Sequence, residues 1–131
     1  MDSIINCVIA STVTKGRCAR LNSAGTGGLP LALVASDGTT ATGHYNVGIF
    51  LASGVSGDIV PVQVAGVCEI ATAGAAIAIG KLATTDASGK VVACASGDRG
   101  FLRVIGGKSS AGATADGAEC RVVICGPLDV A

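Results

Sequence analysis

Residues 59–64 read Ile-Val-Pro-Val-Gln-Val, and residues 66–70 read Gly-Val-Cys-Glu-Ile. In these two runs apolar residues occupy alternate positions, so that one face of an extended strand would be buried. The same period of two recurs in residues 91–94, 101–105 and 120–124. Gly, Asp and Ser separate the runs at short intervals, as turns separate antiparallel strands. The sequence therefore predicts an all-β protein, a small β-sandwich or β-barrel of short antiparallel strands with at most one short helix.

Two segments between these runs carry their own local signals. Residues 86–89, Asp-Ala-Ser-Gly, predict the turn of a β-hairpin, because Asp favours the start of a turn and Gly accepts a left-handed conformation. Residues 73–80 are rich in Ala and Ile, and they are compatible with a short helical turn capped by Gly80. No spacing of about twenty to fifty residues is repeated, which argues against a solenoid.

The composition predicts a protein that associates with other subunits. The 131 residues suffice for one domain, which we expect in residues 16–131, after an N-terminal strand or arm in residues 1–15. The formal net charge is zero and charged residues make up 14%, against roughly 25% in an ordinary soluble domain. A weakly charged surface tends to associate, so we expect a homo-oligomer or a permanent partner. A monomer with a surface of Ser, Thr and Gly is the alternative.

The sequence predicts neither a membrane span nor a secreted protein. The longest run without a charged residue, residues 38–57, contains Thr, Ser, Asn, His and Gly, unlike the ~20 apolar residues of a spanning helix. Asp2 and the lack of a basic N-terminal segment argue against a signal peptide, and we expect a protein that is soluble and cytosolic when made. The six cysteines form no Cys-x-x-Cys pair, so thiols in the core or an interface are favoured over disulfide or metal roles.

No arrangement of residues typical of catalysis or cofactor binding is present. Residues 74–82 resemble a phosphate-binding loop, but the gap between glycines is one residue too long and Leu82 replaces the Ser or Thr that binds Mg²⁺. His44 is the only histidine, and the acidic residues are dispersed, mostly at turns. We therefore expect no enzyme activity, no cofactor and no metal.

Two groups near the N-terminus are candidate contact residues for a partner protein or a neighbouring subunit. One is the apolar set of the first predicted strand, which would add to a neighbour's sheet by main-chain pairing. The other is the only concentration of basic residues, which lacks the neighbouring aromatics that nucleic-acid binding uses, so no nucleic-acid partner is expected. The predicted contact set comprises Ile4, Ile5, Val8, Ile9, Lys15, Arg17 and Arg20.

The order of motifs in the C-terminal half resembles the small capsid decoration (cement) proteins of tailed bacteriophages. The motifs are Gly57-Asp58-x-Val60-x-Val62, Gly66-Val67-x-Glu69-Ile70, the Ala-rich residues 73–82, the hairpin 86–91, Gly100-Phe101-Leu102 and Val122-Val123-Ile124. The resemblance implies a virion protein that binds the outer surface of the assembled head, commonly as a homotrimer at three-fold positions. It also implies that the major capsid protein is the partner, whose neighbouring subunits the trimer clamps against internal pressure.

Two other functions fit the same composition. One is another phage structural component, such as a tail or fibre module. The other is a β-type carrier or ligand-binding module modified on Lys90, although Lys90 follows the predicted hairpin turn instead of lying at its tip.

Overall fold

The computed structural model describes residues 3–21, 33–35, 46–86, 88–95, 99–107 and 117–129. His44 lies outside the described residues. Nine strands are present in this part of the chain: β1 Ser3–Val8, β2 Cys18–Leu21, β3 Leu33–Ala35, β4 Asn46–Phe50, β5 Ile59–Thr72, β6 Leu82–Thr85, β7 Val91–Ala93, β8 Arg99–Gly107 and β9 Glu119–Asp129. They form an antiparallel sheet that nearly closes into a barrel, and the described residues contain no helix. The prediction of an all-β fold is confirmed.

The strand β5 belongs to both halves of this sheet. The strands follow the order β3-β2-β4-β5-β9-β8-β6-β7, and β1 also pairs with β5. The first half of β5 pairs with β1 and β4, and its second half pairs with β9. Between the halves, Gly66 has a φ of 87°, which a residue with a side chain rarely adopts. The break in the alternation at Gly66 is therefore the point where the chain passes from one half-sheet to the other.

One ten-residue turn occurs three times in the described part of the chain. In each copy the chain bends twice, forms a single β-bridge, turns at a glycine and enters a strand. The copies are residues 9–18, 50–59 and 73–82. The glycines Gly16, Gly57 and Gly80 have φ values of 86°, 95° and 86°. Two copies pair with each other through Val13 and Gly54. The short helical turn considered for residues 73–80 does not form, because Ala73 pairs with Val91 and this segment follows the same extended turn.

The hairpin predicted at residues 86–89 is confirmed. β6 and β7 pair antiparallel on either side of it, and Gly89 has a φ of 80°. The carboxylate of Asp86 accepts hydrogen bonds from the N–H groups of Ser88 at 2.8 Å and Lys90 at 3.0 Å. Asp86 thus fixes the turn through its side chain, as the residue type suggested.

The core consists of two apolar clusters, one mainly in the C-terminal half of the sheet and one in the N-terminal half, and Cys18 of β2 and Ile49 of β4 belong to the first. The first lies around β8, β9 and the second half of β5, and contains Phe101, Leu102 and Val104. The second lies around β1, β4 and the first half of β5, and contains Phe50 and Val62. Small aliphatic residues fill most of both clusters, which explains how a chain with 2% aromatic residues forms a core.

Candidate contact surface

The apolar members of the predicted contact set lie on or next to β1, but not all of them reach the surface. Ile4 is 56% exposed and Ile5 39% exposed, while Val8 is half-buried. Ile9 is 1% exposed and packs in the second core cluster, so its side chain is not accessible to a partner. The chain turns inward at Ile9 because its N–H donates to the carbonyl of Asp58 at 3.0 Å.

The basic members lie on different elements from the apolar ones. Lys15 is exposed in the first turn, and its N–H donates to Ser53 Oγ at 3.0 Å. Arg17 is half-buried and donates from Nη1 to the Ser88 carbonyl at 2.7 Å, which ties the first turn to the β6–β7 hairpin. Arg20 is half-buried on β2. Arg17 therefore has an internal structural role, and only Lys15 of the three is fully on the surface.

One outward face of β1 and β5 is free of charged side chains. Val8 lies opposite Ile59, which is 69% exposed, and residues two apart on a strand share a face. Ile4 and Val8 of β1 and Ile59 and Pro61 of β5 therefore line one surface, with Asn6 between the first two. We call these four residues the N-terminal strip. The sequence contains a signal for Ile59. In the alternating run of residues 59–64, Val60 and Val62 occupy the inward positions, so Ile59 is an apolar residue at an outward position.

The outer edge of β1 is open among the described residues. Pro61 lies opposite Asn6, and its carbonyl accepts the N–H of Leu51 at 2.9 Å, on the β4 side. Asn6 and Pro61 are therefore a pair without mutual hydrogen bonds, and Asn6 points its own N–H and C=O away from β5. Ile4 and Val8 point the same way because the direction alternates along a strand. No strand in the described part of the chain pairs with this edge.

A second outward face lies on β5, β9 and β8 and mixes apolar with charged residues. Val67 lies opposite Val123, which lies opposite Arg103. Arg103 Nη1 donates to the Gly80 carbonyl at 2.7 Å. Arg121 and Glu69 approach to 3.9 Å, but both are exposed, and such pairs contribute little stability. This face has the ordinary composition of a solvated surface, in contrast to the N-terminal strip.

A comparison of the whole sequence with models of known protein families identifies the family of this chain. The sequence model of the phage cement protein family matches residues 4–124. The chain belongs to this family. The match begins in β1 and ends in β9, so the cement protein carries the family pattern through both halves of the sheet and not only in the C-terminal half.

The fold of the cement protein is similar to a solved phage structure. The similar structure is described as the head fiber gp8.5 N base in bacteriophage phi29. The TM-score is 0.64, the similarity covers 95% of this chain and 94% of that chain, and 19% of residues are identical. At this identity the likeness establishes a shared fold. No curated protein sequence matches the chain. Membership of this family makes the chain a phage structural protein.

Four of the cysteine side chains pack in the hydrophobic core. None of the six cysteines forms a disulfide bond, and Cys7, Cys18, Cys68 and Cys120 are buried, so the prediction of core thiols is confirmed for these four. Burial raises the pKa of Cys18 and raises that of Cys120 to about 11. No group of three or more His, Cys, Asp or Glu that could hold a metal occurs among the described residues. No helix in that part of the chain is long and apolar enough to span a membrane.

Proposed function

We propose that this cement protein binds the outer surface of the assembled phage head as a homotrimer and stabilises contacts between neighbouring subunits of the major capsid protein. The observation that carries the proposal is the family match over residues 4–124. The protein contributes contacts and no covalent chemistry. It requires no cofactor, and it acts in the virion after synthesis in the host cytoplasm.

The surface supports this proposal. The cores of protein interfaces are depleted in charged residues, and the N-terminal strip has none, although Ile4 and Ile59 are more than half exposed. Each such contact is small, so a single copy would bind weakly. A trimer that engages three equivalent positions multiplies the effective affinity without further contacts. The predicted contact residues that remain accessible, Ile4, Ile5, Val8 and Lys15, are the first candidates for these contacts.

The direct test is binding to empty, expanded phage heads. The protein alone is first sized by light scattering, and a mass of three chains is expected. It is then mixed with expanded and unexpanded heads and sedimented, and the temperature of head disruption is measured with and without the protein. Co-sedimentation with expanded heads and a higher disruption temperature are expected. A protein that stays in the supernatant and leaves the disruption temperature unchanged is not a cement protein in function.

A second candidate function is a fibre or tail module, which the fold shared with the head fibre base favours. Sedimentation with purified tails identifies a tail module, which binds tails and leaves empty heads unbound. The number of copies per particle separates a fibre module from a cement protein, because a fibre part occurs in few copies and a cement protein in many. The carrier alternative is disfavoured by the position of Lys90. Its N–H is bound by Asp86 at 3.0 Å, and the strand β7 begins at the next residue, away from the tip of the turn. An intact mass without an adduct is the expected result.

A further inference from the structure

The open edge of β1 lacks the features that keep exposed strand edges from pairing. Natural proteins protect such edges with Lys, Pro, bulges or inward charges. The residues that point their backbone groups outward here are Ile4, Asn6 and Val8, and none of them is charged. The one bulge lies at Ser3–Ile4, before this stretch. An unprotected edge beside exposed apolar side chains indicates that an extended strand covers it.

The order of the three outward residues points to a second copy of the same strand. They read apolar, Asn, apolar at equal spacing, so the pattern is the same in both directions. When two such strands run antiparallel about Asn6, each Asn6 faces the other Asn6, and each Ile4 faces Val8. Each facing pair then exchanges its two backbone hydrogen bonds, giving about six in all.

We propose that β1 of one cement protein pairs antiparallel with β1 of a second copy, in the register that places Asn6 opposite Asn6. This pairing has two-fold symmetry and therefore uses the same residues on both copies. A two-fold contact does not by itself close a trimer, so in the proposed assembly it joins two copies from neighbouring trimers. It is a property of the chain itself and does not depend on the presence of a capsid.

The same register covers the N-terminal strip. Within one copy Ile59 lies beside Val8, and in the pair the second copy's Ile4 lies on the other side of Val8. Ile59, Val8 and the second Ile4 then form a continuous row of apolar side chains across three strands. This row shields Ile59 and Ile4, which are 69% and 56% exposed in the single chain. Aliphatic contacts between facing residues of neighbouring strands stabilise such a pairing.

The pairing is small, and its strength is correspondingly limited. Stable interfaces bury roughly 1,200–2,000 Å² in total, which a six-residue edge does not reach. Self-association in solution is therefore expected to depend on protein concentration. On a capsid, where copies are held close together, the same contact becomes effectively intramolecular.

The first experiment measures the mass against concentration by sedimentation equilibrium for the wild type, Asn6→Pro and Asn6→Ala. Proline removes the Asn6 N–H, which has no acceptor among the described residues, and alanine keeps it. The wild type and Asn6→Ala are expected to double their mass at high concentration, and Asn6→Pro to need about tenfold more protein, since one hydrogen bond is lost from each copy. Equal association by all three proteins, or no association by the wild type, overturns the proposal.

A second pair of variants tests the register and does not depend on the tolerance of proline. Ile4→Lys places a charge opposite Val8 of the other copy and is expected to weaken association. Adding Val8→Glu to Ile4→Lys is expected to restore it, because the new charges face each other only between copies. Failure of the double variant to exceed the single one contradicts this register.

Binding to expanded heads, measured on the same variants, separates this contact from the proposed function. Loss of head binding by Asn6→Pro with unchanged self-association shows that a capsid strand occupies the edge, and it overturns the self-pairing. Self-association that follows the predictions without any head binding supports the pairing and contradicts only the cement function.

Discussion

The side-chain amide of Gln63 donates a hydrogen bond to the carbonyl of Val67 at 2.8 Å, across the glycine where β5 changes half-sheet. The same nitrogen donates to the carbonyl of Ala65 at 3.1 Å. Gln63 is 5% exposed, a rare environment for this residue type. Its amide satisfies carbonyls at the point where the antiparallel ladder is interrupted, so the bend at Gly66 is held by a side chain as well as by the backbone.

Replacement of Gln63 by Leu is therefore expected to lower the free energy of unfolding by about 1–2 kcal/mol, because the carbonyls of Ala65 and Val67 lose this donor. Urea denaturation followed by circular dichroism measures the change. Gln63→Glu provides the second variant, since it keeps the shape and loses the donating group, and it is expected to be at least as destabilising. If the free energy of unfolding falls by less than about 0.5 kcal/mol in both variants, the bend at Gly66 does not depend on the Gln63 amide.

Gly16 and Gly80 occupy the same position in two copies of the ten-residue turn and have the same φ of 86°. A Cβ at Gly16 would lie 2.6 Å from the carbonyl oxygen of Ile70, whereas a Cβ at Gly80 meets nothing within 4 Å. Gly80→Ala is therefore expected to cost only the left-handed strain, about 1–2 kcal/mol. Gly16→Ala adds a clash with backbone and is expected to cost about 3 kcal/mol or more.

The difference between these two alanine variants is the informative quantity, because the backbone strain is common to both. Thermal unfolding of the two proteins in one buffer measures it. Equal losses of stability would show that the first turn moves away from Ile70 without cost.

The alternating runs made much of this fold predictable from the sequence. Residues 101–105 and 120–124 are strands of the C-terminal half, and the Asp-Ala-Ser-Gly turn is where the sequence placed it. These features depend on local periodicity and on residues with strong turn preferences, which a sequence shows directly.

The repeated turn and the surface could not be predicted in the same way. The three copies of the turn share one glycine and a backbone path but few other residues, so the repeat is not recognisable in the amino-acid sequence. The burial of Ile9 depends on its hydrogen bond to Asp58, and the open edge of Asn6 depends on the pairing with Pro61. Both are consequences of strand register, which is set by contacts between residues far apart in sequence.

Burial of the Cys120 thiol raises its pKa to about 11 from an ordinary value of 9.0. The folded protein therefore holds this proton more tightly than the unfolded chain. Stability is unaffected below about pH 9 and is expected to fall between pH 9 and 11, as the unfolded chain releases the proton first. Urea midpoints at pH 8, 9, 10 and 10.5 measure this, and Cys120→Ala is expected to reduce the slope. If the urea midpoint of Cys120→Ala falls with pH as steeply as that of the wild type, the loss of stability at alkaline pH comes from other groups.

The same burial predicts which thiols react in the native protein. Cys18 and Cys120 are buried with raised pKa values, so little reactive thiolate is present at pH 8, whereas Cys94 and Cys125 are only half-buried. Iodoacetamide at pH 8 is expected to modify Cys94 and Cys125 first, and all six cysteines only after denaturation. Peptide mass spectrometry identifies the sites, and early labelling of Cys18 would show that the core opens locally.

Ile59 and Ile79 provide a matched test of the N-terminal strip. Ile59 belongs to the strip and is 69% exposed, while Ile79 lies in the third turn and is 53% exposed. Lysine at either position is expected to leave the fold intact, because neither side chain is buried. Ile59→Lys is expected to weaken retention on expanded heads by about tenfold or more, since an assembly held by linked contacts loses affinity when one contact weakens. Ile79→Lys is expected to change retention by less than about twofold. Retention is measured by diluting the decorated heads stepwise and sedimenting them at each dilution. A larger effect at Ile79 than at Ile59 would show that the contact surface lies in the opposite half of the sheet.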